Sequence, residues 1–382
     1  MTRIYIIRHA EAEGNLYRRA QGHYDGKITA QGYRQIDALA ERFRDVHLDA
    51  VYSSDLFRTV TTAGAILKYH DLTLNTDPRL REVCMGVWEG MAWGDIEAMD
   101  GEQLEKFGSD PASWHVSGGE TFEALAERVT GAVLDIASRH DGQTIAIVSH
   151  GMAIRSLLCR AKGLPLSSLP QVRHGDNTAV SLLEAENGVL TVVFMNDVSH
   201  LNSDTSTFAK QTWWQVKPQE KQGRNNLRFV MMNPSKEKKL YIACYEDAWR
   251  ESHNGTAEGF QGNIYWETAM RRAREEPRSV WKAYCDGEFA GILELDTRSE
   301  AVNGVGWISL CYLRPEFRGR RLGIQLIGQA VFIFRSMGRK RIGLHTAETN
   351  TRAIGFYEHY GFKKAGTVAG VLGPLYRMEM EL

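Results

Sequence analysis

The stretch RIYIIRHAEAEGN, residues 3–15, decides how the first half of this chain folds. Four consecutive apolar residues, Ile4 to Ile7, end abruptly on Arg8–His9, and small and acidic residues follow. A short Ile-rich run bounded by charge reads as a strand buried on both faces. LDAVYSS (48–54) and QTIAIVSH (143–150) repeat the pattern. Helical stretches with apolar residues every three or four positions lie between and after them: LFRTVTTAGAIL (56–67), TFEALAERVTGAVLDIAS (121–138) and MAIRSLLCRAKG (152–163). Strand–helix alternation implies an α/β sheet covered by helices. NTAVSLLEAENGVLTVVFM (177–195) then reads as a hairpin turning at Asn187–Gly188.

Working outward, 382 residues suit two domains. The polar run from His200 to Asn226 is the expected connector, with residues 1–205 before it, 206–226 as linker and 227–382 after it. Within it, the Trp213–Trp214 pair is expected to pack on something. With 46 basic and 47 acidic residues the chain is nearly neutral, so neither nucleic acid nor a membrane surface is an expected partner. No apolar run approaches the roughly 18 residues of a membrane span, and the opening residues do not read as a secretory leader. A soluble cytoplasmic protein is the expectation. The five cysteines, Cys84, Cys159, Cys244, Cys285 and Cys311, are odd in number, show no CxxC spacing and sit in apolar sequence. Free, packed thiols and no zinc site are expected.

Arg8 and His9 stand at the carboxyl end of the first strand, where open α/β sheets bind ligands. His150–Gly151 stands at the end of another, and Arg58 lies in the helix after LDAVYSS, for which Ser54–Asp55 looks like a cap. Each residue alone has a bland structural reading. Together with Glu82 they place two arginines, two histidines and a carboxylate on one rim, near helix N-termini that favour anions.

These residues, with QGHYDGKITAQG (21–32), SSDLFRTVTTA (53–63), LREVCMGVWEG (80–90), SGGETFEALAERV (117–129), VSHG (148–151) and NDVSHL (196–201), give residues 1–205 a resemblance to the histidine phosphatase superfamily, the phosphoglycerate-mutase-like fold of three α/β/α layers. The resemblance implies that His9 is the nucleophile and carries the phosphoryl group. It implies that Arg8, Arg58 and His150 bind phosphate oxygens with help from Asn15, that Glu82 is proton donor and then base, and that Gln21, Gly22 and Gly151 border the substrate. Phosphoryl transfer of this kind relies on positioning and charge neutralisation, so arginines can replace a metal. His9 must offer a neutral nitrogen while the other is held by a hydrogen bond. Glu82 must start out protonated, which apolar Val83, Met85 and Val87 would favour. Ala10 departs from the family's glycine and would be strained at positive φ. The compact stretch from Glu82 to Gly118 resembles small-molecule phosphatases, α-ribazole phosphatases included, more than mutases. A protein phosphohistidine substrate is the third option. Trp88, Trp93, Trp114 and His115 would either cover a pocket or belong to the core.

In the second half, GWISLCYLRPEFRGRRLGIQLIGQAVFIF (306–334) reads as strand, basic turn and helix, and NTRAIGFYEHYGF (350–362) follows. A turn of this kind offers backbone N–H groups to a pyrophosphate. Residues 227–382 thereby resemble the GNAT N-acetyltransferases, an α+β acyl-CoA fold. The resemblance implies acetyl-CoA as cofactor, with Leu313 pairing its backbone to the pantetheine arm. Arg318, Gly319, Arg320, Arg321 and Gly323 would hold the pyrophosphate, Asn350 would touch the cofactor, and Tyr357 would protonate the leaving thiolate. Arg321 stands where the family prefers glycine. Glu267, Glu294 and Asp296 are the acids available near the expected amine site, each with a structural reading. The expectation is a bifunctional enzyme taking a small phosphorylated metabolite and an amine acceptor. A phosphatase with a non-catalytic acyl-CoA-sensing domain is the alternative, and a homodimer is left open.

Overall fold

The computed structural model describes residues 1–211 and 225–382, so Trp213–Trp214 lies outside the described residues. The chain divides into two compact units, residues 1–91 with 96–224 and residues 225–382 with 92–95.

The first unit has a six-stranded sheet in the order β3-β2-β4-β1-β5-β6. Its strands are β1 (Thr2–Arg8), β2 (Ala50–Ser53), β3 (Leu74–Thr76), β4 (Thr144–Ser149), β5 (Val180–Glu186) and β6 (Val189–Asp197). The first four are mutually parallel where they pair, and β5 and β6 add antiparallel strands beside β1. Asn187 and Gly188 turn the hairpin at φ 51° and 77°, as expected for two left-handed positions. The helices are α1 (Glu13–Tyr17), α2 (Ala30–Phe43), α3 (Phe57–Leu67), α4 (Trp93–Ser109, broken at non-helical Asp100 and starting in residues that belong to the second unit), α5 (Phe122–Ser138), α6 (Gly151–Ala161) and α7 (Thr207–Lys210). Ile7, Val51, Ala146 and Val148 pack under Leu39, Phe43, Ala63 and Ile66 of α2 and α3. Trp88 and Trp114 are buried against each other and Phe107, so they are core rather than cover.

Residues 206–211, expected in the connector, are docked on this unit. Ser206 caps α7 and donates to Asp176, and buried Thr207 donates to the buried carboxylate of Glu11 at 2.9 Å.

The second unit has a seven-stranded sheet ordered β12-β13-β11-β10-β9-β8-β7. Its strands are β7 (Leu227–Met231), β8 (Val280–Cys285), β9 (Glu288–Asp296), β10 (Val305–Leu313), β11 (Arg341–Ala347), β12 (Lys363–Ala369) and β13 (Pro374–Glu381). Its helices are α8 (Lys238–Ser252), α9 (Gly262–Glu275), α10 (Gly323–Ser336) and α11 (Thr351–His359). After α11 the chain closes on an antiparallel pair of strands, β12 and β13. The feature that matters is a splay. β10 and β11 pair in parallel only from Val305–Ile308 to Arg341–Leu344, and β10 bulges after Ile308. Beyond the bulge, Tyr312 and Arg314 turn their polar backbone groups to β9. By alternation, Cys311 and Leu313 turn theirs towards the opening.

Candidate active sites

His9 follows β1 and is 5% exposed. Its Nδ1 lies 2.7 Å from the carbonyl of Ala10, to which it must donate, so the lone pair sits on Nε2. Burial, then the nearby Arg58 and Arg8, holds the ring well below its ordinary pKa, so it is neutral. Ala10 is not among the residues at positive φ. Its N–H is received by Thr62 Oγ1 at 2.9 Å, so the alanine costs no backbone strain here.

The His150 ring stands 5.4 Å from that of His9, centroid to centroid. His150 Nδ1 receives Arg58 Nε at 3.1 Å, so its Nε2 carries the proton and donates to Ser54 Oγ at 2.8 Å. Both ring nitrogens are therefore engaged, and His150 is first of all the partner of Arg58. Arg58 is fully buried, and its remaining donors reach the carbonyls of Tyr24 at 3.0 Å and Gly22 at 2.6 Å. Asp25 lies 3.5 Å from it. Ser54 does not cap α3 as expected, because Leu56 takes the N-cap position with no side-chain bond. Ser54 holds His150 instead, and Asp55 is paired with Arg81 at 2.5 Å.

Arg8 donates from one terminal nitrogen to the carbonyl of Gly175 at 2.7 Å, and its buried Nε has no partner among the described residues. A Cβ on Gly151 would stand 3.4 Å from that Nε, in ordinary contact, so the guanidinium lies against the start of α6. Gln21 receives the Gly14 N–H at 2.7 Å, and its buried Nε2 is likewise unpaired. Gly22 has room for no side chain: a Cβ would sit 2.3 Å from the Val83 carbonyl. Asn15 folds back to receive the Ala12 N–H at 3.1 Å.

Glu82 meets donors rather than the apolar surround expected for it. Its Oε1 receives the N–H groups of Val83 and Ala153, each at 2.9 Å. Its Oε2 receives that of Met152 at 2.9 Å. The carboxylate thus sits at the N-terminus of α6, where negative charge is favoured. Val83 and Met85 are buried beside it, whereas Val87 is exposed. All five expected groups are assembled around the first turn of α6.

Sequence reasoning missed the segment His174–Thr178, which backs this centre. Asn177 Nδ2 donates to the His9 carbonyl at 3.0 Å, and the Thr178 N–H reaches the Arg8 carbonyl at 3.2 Å. Thr178 does so at φ 62°, a costly conformation for a β-branched residue. A run of His, Gly, Asp and Asn just before a strand was the available signal.

In the second unit the turn after β10 has Gly319 at φ 74° and Arg321 at φ 58°, a left-handed position that favours the family's glycine. The N–H groups of Gly319, Arg320, Leu322 and Gly323 have no backbone acceptor among the described residues. The arginine side chains are otherwise occupied. Arg318 Nε donates to the Leu313 carbonyl at 2.7 Å, and its terminal nitrogen pairs with Glu251 at 2.7 Å. Arg320 pairs with Asn225 at 2.8 Å and Asp286 at 3.5 Å. Asn350 caps α11 by receiving the Ala353 N–H, and its Nδ2 reaches Ser252 at 3.3 Å. Tyr357 is buried, and burial, then the nearby Cys311 thiol, keeps its hydroxyl protonated, while burial pushes the Cys311 thiol up to about 12. Glu294 and Asp296 are both tied to Arg272, at 2.6 and 2.5 Å, and Glu267 is exposed.

Among the described residues no cluster of three or more His, Cys, Asp or Glu could hold a metal ion, and no helix is long and apolar enough to cross a membrane.

Comparison with known proteins places both units in known families. The family model for the histidine phosphatase superfamily (branch 1) matches residues 4–198, and that for the GNAT acetyltransferase family matches residues 239–362. Phosphoserine phosphatase 1 of Hydrogenobacter thermophilus is 30% identical over 201 residues, covering 53% of this chain and 95% of the relative. Phosphoglycerate mutase-like protein 4 of Arabidopsis thaliana is 34% identical over 202 residues, covering 52% and 86%. Among solved structures, Bacillus stearothermophilus YhfR aligns with a TM-score of 0.52 and 33% identity, covering 53% of this chain and 100% of its own. With His9, His150, Arg8, Arg58 and Glu82 gathered beyond the carboxyl ends of β1 and β4, the chain belongs to the histidine phosphatase superfamily and carries a GNAT acetyltransferase domain after it.

Proposed function

We propose that the first unit is a metal-independent phosphomonoesterase for a small phosphorylated metabolite, working through a phosphohistidine at His9. The observation that carries this is His9 itself. Its Nε2 lone pair is fixed by the Nδ1 bond to Ala10, and unpaired buried donors on Arg8 and Gln21 belong to the same centre. In the reaction, Nε2 attacks phosphorus and the ester oxygen leaves. The proton for that oxygen comes from Glu82 Oε2, which accepts only one N–H and so has room to carry it, and its transfer leaves a carboxylate behind. The same carboxylate then takes a proton from the water that releases phosphate. Arg8 and Arg58 supply the positive charge.

The second unit is proposed as an acetyl-CoA-dependent N-acetyltransferase. The residues present fit the cofactor: N–H groups without backbone acceptors open α10, and the backbone of Cys311 and Leu313 faces the splay. Acetyl-CoA would supply the thioester. The turn from Arg318 to Gly323 would bind its pyrophosphate, Leu313 would pair with the pantetheine arm, and Tyr357, kept protonated by burial, would give its proton to the leaving thiolate. A non-catalytic, acyl-CoA-sensing role is the second reading, favoured by Glu294 and Asp296 being tied to Arg272.

A hydrolysis screen over phosphorylated metabolites, with and without acetyl-CoA, tests both halves when free amines are included. Phosphate release from a small metabolite and acetyl transfer to an amine are expected. No release from any metabolite removes the first assignment. Cofactor binding without transfer moves the second unit to the sensing role.

A further inference from the structure

Arg155 lies on α6, is 7% exposed and serves no step of the reaction above. All of its partners are neutral. Nε donates to the Val172 carbonyl at 2.9 Å and one terminal nitrogen to the Leu169 carbonyl at 2.8 Å. The other terminal nitrogen meets His174 Nε2 at 2.8 Å and Met152 Sδ at 3.2 Å. No carboxylate lies within ion-pair distance of it among the described residues. A buried cation without an acid is expensive to keep, and a methionine would fill the space without that cost. The retained charge and its fork of donors therefore need a purpose that packing does not provide.

What Arg155 grips is the segment leading into His174–Thr178. That segment is bonded to the phosphatase centre throughout: the Gly175 carbonyl anchors Arg8, Asn177 holds the His9 carbonyl, and the Thr178 N–H is shared between the Arg8 and His9 carbonyls. The helix that carries Arg155 also presents the Met152 and Ala153 N–H groups to Glu82. Because His174 Nε2 receives an arginine N–H, its proton must sit on Nδ1, which fixes the ring and with it the direction of the chain into Gly175. One guanidinium thus ties the support of the proton donor to the anchor of the phosphate-binding arginine.

We infer that Arg155 is a positioning residue of the phosphatase centre, acting through the 172–175 segment on Arg8. The inference rests on the phosphatase reading of that centre. Displacing Arg8 by as little as about an ångström should cost on the order of 100-fold where positioning carries catalysis.

The test uses the full chain with Arg155→Met, alone and combined with Arg8→Lys. Orthovanadate binding and p-nitrophenyl phosphate turnover are the readouts. Arg155→Met should weaken vanadate and raise KM by about 10- to 100-fold. The dependence on leaving-group pKa, which reports Glu82, should stay as in wild type. In the Arg8→Lys background the further loss should shrink to within about 3-fold, since the two residues act as one unit. Full additivity, or unchanged vanadate affinity, would overturn the inference. Should Arg155→Met fail to fold, His174→Ala removes one of the same contacts, and it must weaken vanadate only while Arg8 is present. A wild type that neither binds vanadate nor turns over substrate would sink the phosphatase reading itself, a result distinct from either of these.

Discussion

Arginines crowd both candidate centres, but they are partnered differently. Around His9, Arg8, Arg58 and Arg155 give most of their bonds to backbone carbonyls and imidazole nitrogens. Neutral acceptors satisfy most of these donors without cancelling the charge; Asp25, 3.5 Å from Arg58, is the one carboxylate within ion-pair distance of the three among the described residues. In the turn after β10, Arg318 is met by Glu251 and Arg320 by Asp286, and their charge is largely balanced. What remains there for an anion is the row of N–H groups at the start of α10. The first centre should therefore bind phosphate through side-chain charge, and the second through backbone geometry.

Gly323→Glu tests the second half of that contrast with the largest effect. A carboxylate at the start of α10 should abolish acetyl-CoA binding by calorimetry, whereas Arg318→Ala should change affinity by less than about 5-fold, the scale of a partly exposed ion pair. A Cβ at 323 would meet the Phe356 ring at 3.2 Å, so Gly323→Ala is needed to separate crowding from charge. If Arg318→Ala abolishes binding while Gly323→Glu does not, the contrast is inverted.

Glu82→Gln sharpens the account of the first centre. Loss of the proton donor should slow substrates with poor leaving groups by about 10²–10⁴-fold and spare p-nitrophenyl phosphate. Equal losses would make Glu82 a scaffold for α6.

Acid should expose the burial of the imidazoles. His9 and His150 are both held well below 6.5 by burial and then by Arg58, so the folded protein keeps them neutral while the unfolded chain protonates them. Their contribution is complete well above pH 6.5 and is lost as pH falls through and below it, with a slope that rises towards a limit of about 1.4 kcal/mol per pH unit for each ring. Denaturant midpoints between pH 7 and 5 would show it. A midpoint that does not move would mean these rings are not shielded as described.

A smaller effect is expected at Thr207→Val, which takes one hydrogen bond from the buried carboxylate of Glu11 and one from Gln35. It should cost about 1–3 kcal/mol in chemical unfolding. No change would mean that α7 does not contribute to the first unit's stability.

How much of this was legible follows from the kind of signal each element carries. β1, β4 and α10 were readable because apolar runs and four-residue spacing are local, and the Asn187–Gly188 turn because its backbone demands those residues. The helices at 30–43, 93–109 and 262–275 were overlooked, since their apolar faces are diluted by Gln, Glu and Arg. In the phosphatase centre the residue identities were legible, but their partners were not. Glu82 binding the N–H groups of α6, Ser54 holding His150 and Asn177 supporting His9 are contacts between residues about 70 to 170 positions apart, which no local pattern encodes. Likewise, a basic turn looks the same in sequence whether its arginines face a phosphate or a glutamate.

The claim on which the rest depends is that His9 Nε2 is a nucleophile. Rapid quench of the full-length protein with a radiolabelled phosphomonoester, followed by peptide mapping, tests it most directly. The account predicts acid-labile, base-stable phosphate on His9, formed no slower than product is released, and neither label nor turnover in His9→Ala. Undiminished turnover in His9→Ala, or label on another residue, would contradict it.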